Sequence, residues 1–176
     1  MSRNDKNITL EDVTIAFRNF AGKESMYNQA GDRNFAILLD PETAANMERD
    51  GWNVKYLKAR EEGDEPQPYI QVAVSYKTRP PKICMITSKN MTYLSEEDVE
   101  LLDWADIEQA DVTLNPYAWA VGVKSGTKAY VKTLVVKIQE DYLENKWRTF
   151  VENNKNEMLA LETGKEDYID GEYELN

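Results

Sequence analysis

What most limits the fold of this chain is a series of short runs in which apolar and polar residues alternate, each ending before helical length. The clearest is YIQVAVSYK (69–77). Ile70, Val72, Val74 and Tyr76 fall on its inward side, and two prolines at 80 and 81 stop it. In VTIAFRNF (13–20), Val13, Ile15 and Phe17 face one way, and Thr14, Ala16 and Arg18 the other. NFAILL (34–39), WNVKYLKAR (52–60) and KICMIT (82–87) are further strand candidates. DVTLNPYAWAVGV and GTKAYVKTLVVKI form a last pair, with the turn expected across Lys124-Ser125-Gly126. The polar segment GKESMYNQAGD (22–32) is a loop, and EEGDEPQP (61–68) a charged turn.

Helix signals are few. Asp40 as N-cap, Pro41 as first helical residue and Gly51 beyond the end mark a short helix near residues 41–50. Ser95 followed by three acids opens a second near residues 96–108, with Leu101, Trp104 and Ala105 as its inner stripe. Leu143, Trp147, Phe150 and Val151 are spaced for an amphipathic C-terminal helix. The expected class is mainly β with short helices: an OB-fold-like small barrel with extra strands. Residues 1–139 form the main domain, 140–160 the amphipathic helix and 161–176 an acidic tail.

Composition narrows the chemistry. The 176 residues include no histidine, which removes imidazole bases, Ser–His and Cys–His nucleophiles and histidine metal ligands. The single cysteine, Cys84, lies in the apolar run ICMI and reads as a small buried hydrophobe. No catalytic residue, metal ligand or cofactor site is expected. No run approaches the ~18 apolar residues of a membrane span, and the N-terminus lacks a leader's apolar core. A soluble, cytoplasmic protein with no membrane partner is therefore expected.

The net charge is −11, yet it is unevenly placed. Residues 140–176 hold eleven acids against four bases, so −7 of the −11 resides there. NPYAWAVGVKSGTKAYVKTLVVKI (115–138) has four lysines, two tyrosines, a tryptophan and no acid. Cations interleaved with aromatics on strands suit a sequence-tolerant binder of single-stranded nucleic acid. Rings stack on bases for about 1–3 kcal/mol each, and cations neutralise phosphates. The candidates are Arg18, Phe20, Arg33, Lys55, Tyr56, Lys58, Lys77, Arg79, Lys82, Tyr117, Trp119, Lys124, Lys128, Tyr130 and Lys132. In the hairpin, Leu134, Val136 and Ile138 face the core, but Val131 and Val135 then break the alternation.

Three blocks, RNFAILLDPETAANMERDGWNVKYLK, RPPKI and PYAWAVGVKSGTKAYVKTLVV, resemble bacteriophage single-stranded DNA-binding proteins of OB-fold type. The resemblance spans roughly residues 13–138 and implies a protein that coats DNA exposed in phage replication or recombination, in the infected host cell. The acidic end is similar in kind to the tails by which such proteins recruit replication and repair enzymes, although this chain ends Glu-Leu-Asn rather than in an aromatic residue. Asp170, Glu172, Tyr173, Glu174 and Leu175 are the partner-binding candidates, able also to compete with DNA for the basic track. A homodimer through the apolar face at residues 143–151 is a further option.

Two other classes stay open. An acidic inhibitor or DNA mimic of a host nucleic-acid enzyme accounts for the net charge, though a mimic needs carboxylates fixed on a folded surface. A carboxylate-dependent nuclease could draw on Asp40, Glu42, Asp64 and Glu65, but a helix start and a solvated turn account for those residues as well.

Overall fold

In the long hairpin, β8 (Ile107–Val121) and β9 (Lys124–Ile138) pair along their whole length. The computed structural model describes residues 6–139 and 150–155. The turn is Gly122-Val123, not Lys124-Ser125-Gly126: Val121 pairs with Lys124, and Gly122 takes a φ of 62°, which suits glycine at the first position of a tight hairpin turn. Further along, Thr113 faces Thr133 whereas Leu114 faces Val131, leaving Lys132 as the extra residue of a β-bulge. The bulge reverses the alternation. Ala129 and Val131 before it and Leu134 and Val136 after it are all buried, which accounts for the broken sequence pattern.

The other strands assemble around this pair. β9 runs parallel to β5 (Gln67–Val74) at one end and to β6 (Lys82–Ile86) at the other. From β5 the sheet continues antiparallel through β3 (Arg33–Leu38) to β2 (Thr14–Asn19), and β4 (Val54–Leu57) also pairs with β5. Two strands were not expected from the sequence: β1 (Ile8–Leu10), which edges β8, and β7 (Met91–Leu94), which pairs with β6. The fold is mainly β and OB-fold-like, but the sheet does not close into a barrel. Its main path is β1-β8-β9-β5-β3-β2, and Val13, just before β2, donates its N–H to Ala110 O of β8 at 2.9 Å.

The helix α1 (Pro41–Arg49) forms as expected. Asp40 accepts from Thr43 N at 3.0 Å and from the Thr43 hydroxyl, and Gly51 follows at φ 94°. Ala44 and Met47 enter a core with Phe35, Ile37, Trp52, Ile70, Val72 and Leu134. The second helix is corrected. Only a 3-10 turn forms (Val99–Asp103), and β8 begins by Ile107. Val99 and Leu102, three apart, are buried, whereas Leu101 and Trp104 are exposed. The Arg18 guanidinium takes the Leu102 and Ala105 carbonyls at 2.8 and 2.6 Å, the acceptors that a continuing helix would use. The Asp103 carboxylate accepts from Phe20 N and Ala21 N.

Phe17 also departs from the pattern. Its φ is +50°, within an irregularity between Ala16 and Asn19, and its side chain is 64% exposed rather than aligned with Val13 and Ile15. Residues 140–176 form a separate unit, in which residues 150–155 are helical and exposed. The rest of the amphipathic stretch and the tail candidates Asp170, Glu172, Tyr173, Glu174 and Leu175 lie outside the described residues.

Candidate nucleic-acid interface

Residues paired across a sheet project to the same side. Ala129 pairs with Val72 and both are buried, so Tyr130 and its partner Ala73 point to the opposite, outer face. The antiparallel register of β8 adds Asn115, Tyr117 and Trp119 to that face, opposite Tyr130, Lys128 and Gly126. On the other flank Lys55 pairs with Tyr69, and its Nζ approaches Gln71 Oε1 at 3.4 Å.

Of these residues, Lys55, Gln71, Ala73, Trp119, Lys128 and Tyr130 line a cleft of about 950 Å³. Its floor comes from β3, β5 and β9, with Asn34, Gln71, Ala73, Lys128 and Tyr130, continued by Ser75 beyond β5, and the loop residues Tyr27, Asn28, Gly31 and Asp32 form a wall. Four cations reach it, Arg33, Lys55, Lys77 and Lys128, against two acids, Asp32 and Glu96. In a chain of net charge −11 this local excess of cations is a distinct electrostatic feature. Tyr27, Tyr76, Trp119 and Tyr130 supply ring surface.

Several members hold one another in place. Lys128 Nζ sits 5.2 Å from the centre of the Tyr130 ring, and Tyr117 meets Tyr130 edge-on at 6.0 Å. Arg33 donates from Nε to Phe20 O at 2.9 Å, pairs with Glu96 at 2.9 Å and lies over Tyr76 at 5.3 Å. Burial, foremost, raises the Tyr76 hydroxyl above the usual tyrosine value; Arg33 opposes this and Glu96 adds to it. That hydroxyl has no hydrogen-bond partner among the described residues.

Of the residues singled out from the sequence, the cleft gathers Arg33, Lys55, Lys77, Trp119, Lys128 and Tyr130, with exposed Tyr117 on the same face. Phe20 is withdrawn as a stacking residue, because it is fully buried and stacked on Phe35 at 5.1 Å. Arg18 spends its guanidinium on backbone carbonyls. Tyr56 alternates away from Lys55 toward α1, where its hydroxyl donates to Glu48 Oε1 at 2.9 Å; that bond is the first cause of its raised pKa. Lys58, Arg79, Lys82, Lys124 and Lys132 are exposed but do not line the cleft. Tyr27 and Tyr76 were missed. Tyr27, 94% exposed in a polar loop, had a usable signal, since an aromatic there has no core to serve.

Cys84 is buried, and burial raises its thiol pKa. Among the described residues no group of three Asp, Glu, His or Cys is placed to hold a metal ion, and no helix is long and apolar enough to cross a membrane.

A family model described as "Putative phage ssDNA-binding domain" matches residues 1–174. The fold is similar to that of the single-stranded DNA-binding protein from bacteriophage Enc34, solved in complex with ssDNA, at a TM-score of 0.51 and 7% identity, covering 77% of this chain and 88% of that one. A C-terminal truncation of the Enc34 protein gives 0.49 at 7% identity, covering 77% and 87%. Gp2.5, the single-stranded DNA-binding protein encoded by bacteriophage T7, gives 0.36 at 14% identity, covering 78% and 88%. At such identities the first likeness concerns the fold alone, and the lower scores carry no argument. No curated protein matches.

Proposed function

The chain belongs to the phage single-stranded DNA-binding domain family, and from that premise we propose that it coats single-stranded DNA, independently of sequence, along the outer face of its sheet. One observation carries the site: Lys55, Trp119, Lys128 and Tyr130, from three parts of the sequence, share one cleft. Rings there accept any base by stacking, and cations there meet the phosphates. No step of bond making or breaking is assigned to the site. The cation-lined cleft favours this reading over an acidic DNA mimic.

The test is titration with oligo-dT, followed by tryptophan fluorescence at several salt concentrations. If the four cleft cations each neutralise a phosphate, the log–log salt slope is about −2.8, or roughly fifty-fold weaker binding from about 50 to 200 mM salt. Absence of binding at low salt rejects the reading.

The acidic segment has its own role in this proposal. Asp170, Glu172, Tyr173, Glu174 and Leu175 compete with DNA for the cations and recruit replication or recombination proteins in the infected cell, and the face at residues 143–151 offers a contact for a second copy. Support comes from the charge, since −7 of the −11 lies in residues 140–176. Deleting residues 157–176 is then expected to tighten oligo-dT binding, and unchanged affinity rejects the competition.

A further inference from the structure

Phe17 contrasts with Phe20 and Phe35, which are both fully buried. Phe17 instead is 64% exposed, with its backbone in the left-handed region at φ +50°, a strained conformation for a bulky residue. It sits where the β2–β3 register slips between Ala16 and Asn19, and such irregularities re-aim a side chain.

The ring is aimed at Tyr69, which it meets edge-on at 6.4 Å and 65°. Tyr69 is on the outer face, between the buried Pro68 and Ile70, and its register partner is Lys55. Lys55 and its neighbour Gln71 both line the cleft. Along the outer face, Tyr130 pairs with Ala73, Gln71 follows on β5, and Tyr69 beyond it pairs with Lys55 and meets Phe17, so the cleft's face leads to a second pair of rings.

We infer that Phe17, braced by Tyr69, is a second stacking platform for nucleotide bases and carries the DNA track beyond the cleft to the β2 side of the sheet. This rests on the proposed function above and adds residues and a direction to it. The bulge sets a ring in solvent where a strand would have buried it, and a base supplies the apolar cover that the fold withholds. The edge-to-face contact with Tyr69 braces the ring while most of it stays in solvent, where a base can stack.

The test measures oligo-dT of roughly 20 nucleotides on the full chain and on two variants. Phe17→Asn removes the ring with a residue at home in the left-handed region; Phe17→Tyr keeps the ring. The Asn variant is expected to bind roughly five- to a hundred-fold more weakly with an unreduced thermal midpoint, and the Tyr variant to bind as the unaltered protein does. Undiminished affinity of the Asn variant, while the unaltered protein binds, overturns the platform. Failure of the unaltered protein to bind rejects the underlying reading instead, so the two failures are distinct.

Discussion

Trp119 lies across Gly126, so close that a Cβ at that glycine would stand 3.0 Å from indole Cζ2. The two face each other in the β8–β9 register, and the bare glycine is what lets the ring lie flat against the sheet in the cleft. Gly126→Ala is accordingly expected to tilt the indole off its seat. Oligo-dT affinity should fall several-fold and the tryptophan emission should change, with stability altered by no more than about 1 kcal/mol. An unchanged emission spectrum and affinity would show that the seat is irrelevant to binding.

Lys128 is the cation most committed to the ring cluster, over Tyr130 and opposite Tyr117. Lys128→Gln removes one phosphate partner, so the salt slope should become shallower by about 0.7 and binding should weaken uniformly across sequences. The same change at exposed Lys82, outside the cleft, should leave the slope alone. Equal effects at the two sites would contradict a track confined to the outer face.

Arg18 is expected to matter for folding rather than binding. Its guanidinium donates to Leu102 O and Ala105 O, joining β2 to the 3-10 turn. Arg18→Ala leaves both carbonyls without that partner and should destabilise by about 2–3 kcal/mol. Urea denaturation gives the loss, and oligo-dT affinity measured on the folded fraction should be retained. A weakened affinity at full folding would return Arg18 to the binding site.

The N-cap of α1 predicts a pH dependence. The hydrogen bond from the Thr43 hydroxyl, then that from Thr43 N, holds the Asp40 carboxyl below its ordinary value of 3.8. A carboxyl whose pKa is lower in the folded state stabilises above the unfolded value, and this is lost as pH falls through the folded one. Asp40→Asn can cap without titrating. Thermal midpoints of the two proteins should therefore converge as pH drops from 3.8 toward the lower folded value, the unaltered protein losing its advantage. Midpoints that remain parallel through that range would remove the carboxylate from the account.

Much of the fold was legible because its determinants are local. Alternation located β2 and β5, short apolar runs β3 and β6, and the Asp40-Pro41 start with Gly51 beyond the end bracketed α1, since strand period and cap chemistry act between near neighbours. The turn of the long hairpin was placed two residues late because the segment has two glycines, and only pairing shows that Gly126 serves Trp119 rather than the turn. The helix expected after Ser95 failed for a long-range reason: Arg18, more than eighty residues earlier, takes the carbonyls.

For the site the division follows the same physics. Residue types alone determined that any binding chemistry would use lysine, arginine and aromatic rings, because the chain lacks histidine and places most of its acidic excess at one end. Which of those rings meet solvent was decided by tertiary structure. A bulge at Lys132 turns Tyr130 and Lys128 outward together, another irregularity turns Phe17 out, and Phe20, only three residues on, is sealed in the core. Facing depends on register, and register depends on partner strands far along the chain, so no local pattern could have assigned it.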